Sequence, residues 1–278
     1  MYVRPQTIEE ATAALSAGDA MAISGGTDVF PAHVGRPIAR PLVDLSGIAA
    51  LKGMSETPDA FRFGAATSWS AIARADLPPA FDGLRAAARE VGSIQIQNRG
   101  TIAGNLCNAS PAADGVPPLL TLDASVELAS EKGKRVLPLS AFITGYRRTA
   151  LQRGEIVTAV IVPKPAASAC SAFVKLGARR YLVISILMAA AVIEKDAQGR
   201  IARAAVAVGA ASPVAQRLVD LERALEGLEG GRKPSSLVAP HHLAGLSPID
   251  DVRATAQYRL EAAIAVVGEA LDSAAGVP

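Results

Sequence analysis

The stretch from Gly92 to Asp123 reads GSIQIQNRGTIAGNLCNASPAADGVPPLLTLD. It holds few charged residues, and Gly100 and Gly104 allow another group to approach the backbone closely because glycine has no Cβ. Hydroxyl, amide and carboxylate groups recur at short intervals, at Thr101, Asn105, Asn108, Ser110 and Asp114. A single glycine of this kind is typical of an ordinary turn. The whole run, in contrast, is suited to a loop that wraps a phosphate-bearing cofactor.

A second glycine run directly follows a short apolar strand signal at Met21 to Ser24, and it reads Gly25-Gly26-Thr27-Asp28. Paired glycines at the end of a strand present successive backbone N–H groups, which bind anions well. The dinucleotide fingerprint G-x-G-x-x-G and the phosphate-binding pattern G-x-x-x-x-G-K-[ST] are both absent from the sequence. A Gly-Gly-Thr turn is weak evidence alone, but the two runs together favour a cofactor site.

Taken together, these runs and several later segments resemble the FAD-binding medium subunit of the molybdenum hydroxylases, the xanthine dehydrogenase and carbon monoxide dehydrogenase family. The segments occur in the family's order and cover most of the chain. They are Ser24-Gly-Gly-Thr-Asp28, Asn98-Arg-Gly-Thr-Ile-Ala-Gly-Asn105, Ala109-Ser-Pro-Ala-Ala-Asp114, Glu155-Ile-Val-Thr-Ala-Val-Ile-Val-Pro163, Phe173-Val-Lys175 with Arg179-Arg180, and Gly209-Ala-Ala-Ser-Pro213.

The resemblance implies that this chain binds FAD and that the cofactor carries the chemistry. One loop, from Ile23 to Val29, would surround the pyrophosphate with backbone N–H groups and the Thr27 hydroxyl. A second loop would begin at Thr101. The cofactor-binding residues that the resemblance implies are Ala22, Ile23, Ser24, Gly25, Gly26, Thr27, Asp28, Val29, Val91, Gly100, Thr101, Ala103, Gly104, Asn105, Asp114, Val157 and Lys175.

Several of these residues have a second interpretation that the sequence leaves open. Asp114 would accept hydrogen bonds from a ribose or adenine group, or it would cap the following helix. Lys175 matches a lysine near the flavin, where a cation would stabilise an anionic reduced flavin, but it also suits a solvent-facing strand. Val91 and Val157 match positions that line the cofactor and are equally suited to a hydrophobic core.

Two positions depart from the family's commonest pattern. Ala103 stands where a second glycine is usual, and if this position requires a positive φ, alanine strains the loop by roughly 1 kcal/mol. Ser24 stands where alanine is usual and adds a possible phosphate donor. Both departures leave FAD as the expected cofactor.

Composition excludes several other functions. The chain has 278 residues with a formal net charge of +2, and its Lys and Arg residues are scattered, so nucleic acid is not expected. The longest apolar run, Tyr181 to Ile193, is too short for a membrane span and is better interpreted as a buried strand. The first residues lack the apolar core of a signal peptide, and the two cysteines form no disulfide framework, so we expect a cytoplasmic protein.

The same composition limits the chemistry that the chain can carry itself. Two cysteines are too few for a protein-held iron–sulfur cluster, so any cluster that exchanges electrons with this chain must lie on another polypeptide. The three histidines, His33, His241 and His242, accompany no metal-binding or catalytic motif. We therefore predict no catalytic residue and no metal ligand in this chain.

Strand and helix signals alternate without a regular βαβ pattern, which predicts an α+β fold. The segment Pro213 to Leu228 is predicted as a helix, and Pro163 to Ser168 as a linker. By resemblance, residues 1–168 form a two-lobed FAD-binding domain of the vanillyl-alcohol-oxidase-like (PCMH) type, with lobes at about 1–53 and 54–168. Residues 169–278 then form a smaller α+β C-terminal domain of the CO dehydrogenase flavoprotein type.

The resemblance implies an electron-transfer function. Electrons would pass from two [2Fe–2S] clusters on a small subunit through FAD to NAD⁺, oxygen or another acceptor, while a large molybdopterin subunit hydroxylates the substrate. The assembly would be a dimer of heterotrimers. Two alternatives stay open: a free-standing FAD-dependent oxidase or reductase, and an assembly subunit that binds no flavin.

Overall fold

Short strands and helices alternate along the chain without regular strand–helix–strand repetition. In the computed structural model, which describes residues 1–277, the strands are β1 (Tyr2–Val3), β2 (Met21–Ile23), β3 (Leu42–Asp44), β4 (Met54–Glu56), β5 (Ala60–Gly64), β6 (Ser125–Ser130), β7 (Gly133–Pro138), β8 (Ile143–Gly145), β9 (Arg148–Thr149), β10 (Ile156–Pro163), β11 (Cys170–Leu176), β12 (Leu187–Lys195), β13 (Ile201–Gly209) and β14 (Gln216–Arg217).

The α-helices are α1 (Ile8–Ser16), α2 (Val29–Ala32), α3 (Trp69–Ala73), α4 (Asp82–Glu90), α5 (Ile94–Arg99), α6 (Ile102–Asn108), α7 (Val116–Thr121), α8 (Leu139–Phe142), α9 (Val219–Leu225) and α10 (Ala256–Ala275). Short 3₁₀ helices lie at Leu45–Gly47, Ala49–Leu51, Pro79–Phe81, Pro234–Leu237 and Pro240–Leu243. Within residues 1–277, every helix is too short or too polar to cross a bilayer.

These elements form two units. The first unit contains residues 1–71, 94–109 and 124–164, and the second contains residues 72–93, 110–123 and 165–277. Two stretches of the predicted 1–168 domain, residues 72–93 and 110–123, therefore group with the C-terminal residues.

The first unit holds two main sheets. The short parallel sheet has the order β1-β3-β2, so the carboxyl end of β2 lies at a sheet edge. The larger sheet is antiparallel, with the order β4-β5-β10-β6-β7. Its strands bury alternate side chains, such as Phe61 and Phe63 in β5, because successive residues of a strand point to opposite faces. A small antiparallel pair, β8 with β9, follows α8.

The second unit is built on the antiparallel sheet β11-β12-β13-β14. Every residue from Leu187 to Ile193 in β12 is buried, because helices cover both faces of this strand. Leu187, Ala189 and the other odd-numbered residues pack with α9 and α10 in one hydrophobic core. On the other face, α7 packs against β12 and β13, and both Met188 and Pro117 of α7 lie close to Gly209.

The structure differs from the sequence-based predictions in two segments. The run from Gly92 to Asp123 was predicted as a loop followed by a short helix after Asp114, and it contains the predicted helix α7 but also α5 and α6 in the part predicted as a loop. The predicted helix from Pro213 to Leu228 was too long, because its first part pairs with β13 as β14 and only Val219–Leu225 is helical. Cross-strand pairing supplies the hydrogen bonds that a helix would otherwise form, so the local preference is overridden.

Candidate cofactor site

The carboxyl end of β2 is followed by a tight glycine turn. Gly26 has φ of +69°, a left-handed conformation that glycine adopts without the penalty of a Cβ. Gly25 is needed for a different reason, since a Cβ at this position would lie 1.9 Å from the carbonyl oxygen of Arg99. The turn therefore packs directly against the end of α5, and the fold requires glycine at both positions.

The polar run that begins at Thr101 is a helix rather than a loop. Thr101 is the N-cap of α6, and its Oγ1 accepts a hydrogen bond from the Gly104 N–H at 3.0 Å. Ala103 lies within α6, and its N–H donates to the carbonyl of Ala65 at 3.2 Å. The condition for strain at Ala103, a positive φ, is not met, because this residue has ordinary helical geometry in which alanine is favoured.

A cavity of about 670 Å³ opens beside this turn and this helix, wholly within the first unit. Such a volume lies within the range of ligand pockets. Seven of the predicted cofactor residues line it, namely Ala22, Ile23, Ser24, Thr101, Ala103, Gly104 and Val157. The sequence pattern did not indicate the other lining residues, Leu15, Gly18, Asp19, Ala20, Met21, Arg40, Leu45, Leu51, Ala65, Ala66, Cys107, Leu151, Gln152, Arg153, Gly154, Glu155 and Ile156.

Hydrogen-bonding groups near the cavity lack protein partners. Within residues 1–277, the backbone N–H groups of Gly25, Gly26 and Thr27 donate to no protein acceptor. In the same part of the chain, the Oδ1 atom of Asn105 is buried without a hydrogen-bond partner. Unpaired buried polar groups are costly, and free N–H groups in a turn bind anions. These free donors and this free acceptor fit a ligand that carries both phosphates and hydroxyl groups, as FAD does.

One wall of the cavity, residues 151–157, is braced by an ion pair. Arg135 donates from Nε to Glu155 Oε1 and from Nη2 to Oε2, both at 2.7 Å, and Nη2 also reaches the carbonyl of Ala150 at 2.8 Å. The Gln152 N–H donates to Glu155 Oε2 at 2.7 Å. The hydrogen bonds from Arg135 hold the pKa of the Glu155 carboxyl below its usual range. The segment 150–155 is therefore fixed by charge-assisted hydrogen bonds.

Three of the seventeen predicted site residues, Val91, Asp114 and Lys175, lie in the second unit. Lys175 Nζ donates to Asp114 Oδ2 at 2.7 Å and to the carbonyl of Glu90 at 3.2 Å. Ser185 Oγ donates to Asp114 Oδ1 at 2.5 Å. Burial raises the pKa of the Asp114 carboxyl, although Lys175 and Ser185 oppose this rise.

This geometry excludes one of the two interpretations that the sequence left open for Lys175 and one of the two for Asp114. Lys175 does not face solvent, because its side chain is only 6% exposed. Asp114 does not cap the following helix, since Gly115 is the N-cap of α7 and Asp114 is engaged by Lys175 and Ser185 instead. Val91 lies beside this cluster as the C-cap of α4, directly after Glu90. That these three residues contact the cofactor stays a prediction.

The remaining predicted residues lie in the first unit near the turn and the helix. Asp28 is the N-cap of α2 and is exposed, without a side-chain capping bond, and Val29 begins that helix. Gly100 is buried between α5 and α6, where its carbonyl accepts from the Trp69 N–H at 3.1 Å. Seven predicted residues of the first unit do not line the cavity, namely Gly25, Gly26, Thr27, Asp28, Val29, Gly100 and Asn105.

Comparison with known families agrees with this site. Residues 1–165 match the family described as the FAD binding domain in molybdopterin dehydrogenase, and residues 172–274 match the CO dehydrogenase flavoprotein C-terminal domain. The chain therefore belongs to the FAD-binding flavoprotein subunits of the molybdopterin dehydrogenases, which are oxidoreductases. The predicted family, the α+β fold and FAD as the cofactor of this chain are confirmed.

Individual relatives extend the similarity over most of the chain. The xanthine dehydrogenase FAD-binding subunit of Escherichia coli O157:H7 is 30% identical over 268 residues, covering 93% of this chain and 90% of that relative. The nicotinate dehydrogenase FAD-subunit of Eubacterium barkeri is 34% identical over 207 residues, 71% of this chain and 70% of the relative. A chain in the structure of reconstituted CO dehydrogenase from Oligotropha carboxidovorans has a TM-score of 0.90 at 26% identity, covering 100% of this chain and 98% of that chain.

Proposed function

We propose that this chain is the electron-transfer subunit of a molybdenum hydroxylase. When bound here, FAD would accept electrons from [2Fe–2S] clusters on a partner subunit and deliver them to an external acceptor such as NAD⁺ or oxygen. The observation that carries the proposal is the largely apolar cavity in the first unit, which Ser24 lines at the end of β2 and Gly104 lines on α6. Within residues 1–277, the free backbone N–H groups follow directly after Ser24, and Asn105, whose Oδ1 has no hydrogen-bond partner, follows directly after Gly104.

The residues of the first unit would hold the cofactor in distinct ways. The N–H groups of Gly25, Gly26 and Thr27 would donate to the pyrophosphate, and the Thr27 hydroxyl would add a further donor. Asn105 Oδ1 would accept a hydrogen bond from a cofactor hydroxyl or amine. The apolar wall that includes Val157 would exclude water from the bound cofactor.

For the second unit the proposal keeps the prediction that Val91, Asp114 and Lys175 contact the cofactor. The ammonium of Lys175 would then act together with the Asp114 carboxylate as one charge pair. The domain division proposed from the sequence, residues 1–168 and 169–278, is likewise kept. It is supported by the change of fold unit between residues 164 and 165.

The proposed partners are a large molybdopterin subunit and a small iron–sulfur subunit, assembled as a dimer of heterotrimers. The support is that the whole sequence has two cysteines, fewer than the ligands that one iron–sulfur cluster needs. We also propose a cytoplasmic location, supported by Cys107 and Cys170, which are both free thiols.

Two measurements test this function. The full chain, purified and incubated with FAD, is expected to retain about one flavin per chain after gel filtration, measured by its visible absorbance. The complex isolated from the natural source is expected to contain molybdenum, iron and flavin together with one larger and one smaller chain. A colourless reconstituted chain would contradict FAD binding, and a flavoprotein that purifies without metals or other chains would contradict the role in a complex.

A further inference from the structure

One side chain on the wall of the cavity has no role in the function proposed above. Cys107 lies on α6, three residues after Gly104, and such a spacing places two residues on one helix face. Both residues line the cavity, whereas Leu106 between them is fully buried in the core. Cys107 is exposed and lines the cavity, so its side chain is reachable from solvent.

The chemistry of this thiol suits a wall beside an anionic ligand. The ordinary pKa of a cysteine thiol is about 8.5, so the side chain is largely uncharged at neutral pH. A neutral thiol behaves as a small apolar group with a weak donor, while a thiolate would repel phosphate groups. The same helix carries the unpaired acceptor, Asn105 Oδ1, two residues earlier. Thr101, Ala103 and Gly104, which the sequence predicted to bind the cofactor, line the cavity together with Cys107, and this places Cys107 on the wall that faces the predicted ligand.

We infer that Cys107 faces the bound FAD and that its small, neutral side chain limits what the cavity accepts. The inference rests on the proposed function, because it assumes that FAD is the occupant. It identifies a specificity-determining position that is not among the cofactor-binding residues predicted from the sequence. It also makes a specific prediction: volume or negative charge added at position 107 must weaken FAD binding, whereas the same change at a cysteine outside the cavity must not.

The chain offers a matched control, Cys170. This second free thiol is exposed on β11 and does not line the cavity. Substitutions at both positions therefore start from the same residue type, and only the position relative to the cavity differs.

The first experiment compares the affinity of the full-length apoprotein for FAD by the quenching of flavin fluorescence. Cys107→Phe fills part of the cavity and is expected to weaken binding about tenfold or more. Cys107→Asp is expected to bind about tenfold or more weakly than Cys107→Asn, because these two side chains differ in charge and hardly in size. Cys170→Phe, Cys170→Asp and Cys170→Asn are expected to stay within about twofold of the unsubstituted chain, as surface changes usually do.

The second experiment measures the chemical accessibility of the two thiols and needs no substitution. The full chain, with and without FAD, is treated with iodoacetamide at mildly alkaline pH, and the modification of each cysteine is followed by mass spectrometry. FAD is expected to slow the modification of Cys107 about tenfold or more and to leave the rate at Cys170 unchanged.

The outcomes separate this inference from the proposed function. If the unsubstituted chain binds no FAD, the proposed function fails and the inference fails with it. If the chain binds FAD but Cys107→Asp and Cys107→Asn bind equally, and FAD leaves the modification of Cys107 unchanged, only the inference is overturned. Should Cys107→Phe not fold, the Asp and Asn pair and the thiol modification still decide the question.

Discussion

The turn after β2 and the Asp114–Lys175 pair are both polar features of one chain, but their hydrogen-bonding states are opposite. At the turn, the N–H groups of Gly25, Gly26 and Thr27 have no acceptor within the described residues, and a cavity opens beside it. In the second unit, the carboxylate of Asp114 accepts from Lys175 and Ser185 with short, well-formed bonds.

This difference shows how a binding site can be told from a structural network. A buried polar group that is fully paired stabilises one conformation and needs nothing further. Free donors around a cavity incur a cost that a bound ligand removes. The two regions should therefore respond differently to substitution: the main loss at the pair is expected in the stability of the apoprotein, whereas substitution at the turn should lower both stability and cofactor affinity.

The largest effect is expected at the buried pair. Lys175→Met removes the ammonium and leaves the Asp114 carboxylate buried with Ser185, so the free energy of unfolding should fall by about 3–5 kcal/mol. Urea denaturation of the full chain without FAD measures this loss. The control is Arg223→Met, which breaks a pair with Asp220 whose side chains are 72% and 80% exposed, and should cost less than about 0.5 kcal/mol.

A double variant sharpens this prediction. Lys175→Met combined with Asp114→Asn removes both charges, so it should recover much of the loss because no isolated charge stays buried. If the double variant is as unstable as the sum of both single variants, Asp114 and Lys175 do not act as a coupled pair.

The second-largest effect is expected at the turn. Gly25→Ala places a Cβ against the carbonyl of Arg99, and backbone cannot move aside as a side chain can. The substitution should cost about 2–3 kcal/mol of stability and weaken FAD binding about tenfold or more. Denaturation of the apoprotein and flavin fluorescence titration measure the two losses separately.

A matched glycine tests the cause of that loss. Gly145→Ala in β8 meets no atom closer than 3.9 Å and should change neither quantity measurably. Loss of stability with unchanged FAD affinity in Gly25→Ala would show that the turn supports the fold but does not bind the cofactor.

A smaller effect is expected from the brace of the cavity wall. Glu155→Gln weakens the bidentate pair with Arg135 and should cost about 1–2 kcal/mol at neutral pH. The folded state lowers the pKa of Glu155, so this contribution is present above the ordinary carboxyl pKa of 4.5 and is lost as pH falls through the lower folded value. Denaturation of both proteins at several pH values should show the difference narrowing in acid. A difference that is independent of pH would contradict the role of the ionised carboxylate.

The sequence predicted the family-level features of this molecule well. The paired glycines after an apolar strand signal located the turn after β2 correctly. In the structure, Gly26 adopts the left-handed conformation that such a turn uses. The long apolar run that contains most of β12 was interpreted as a buried strand from its continuous apolar sequence. The structure explains that sequence, because both faces of β12 are buried.

The errors arose where distant contacts decide the local structure. The helix α6 was missed because its few residues combine glycine, amide and cysteine, a composition that is also typical of loops, and its cap bond and its contact with Ala65 stabilise it. Cys107 was overlooked for the same reason, since a helical spacing from Gly104 is what places it in the cavity. The pairing of Asp114 with Lys175 joins residues 61 positions apart, which no local pattern indicates.

The smallest effect is expected at Ala103. The test there is whether Ala103→Gly raises or lowers the stability of the chain. If the backbone at this position were left-handed, Ala103→Gly would relieve strain and stabilise the chain by roughly 1 kcal/mol. Because Ala103 is helical and buried, the substitution should instead destabilise the chain by about 0.5–1 kcal/mol, the usual cost of glycine in a helix.

Urea denaturation of the apoprotein measures this change, and Ala265→Gly gives its reference. Ala265 lies on an exposed position in the middle of α10, so its substitution reports the helix preference alone. A loss at Ala103 at least equal to the loss at Ala265 supports a helical α6 that forms part of the cavity wall. A gain in stability for Ala103→Gly would contradict this. It would show that the backbone at position 103 is left-handed, as glycine prefers, and that this part of the cavity wall is a loop.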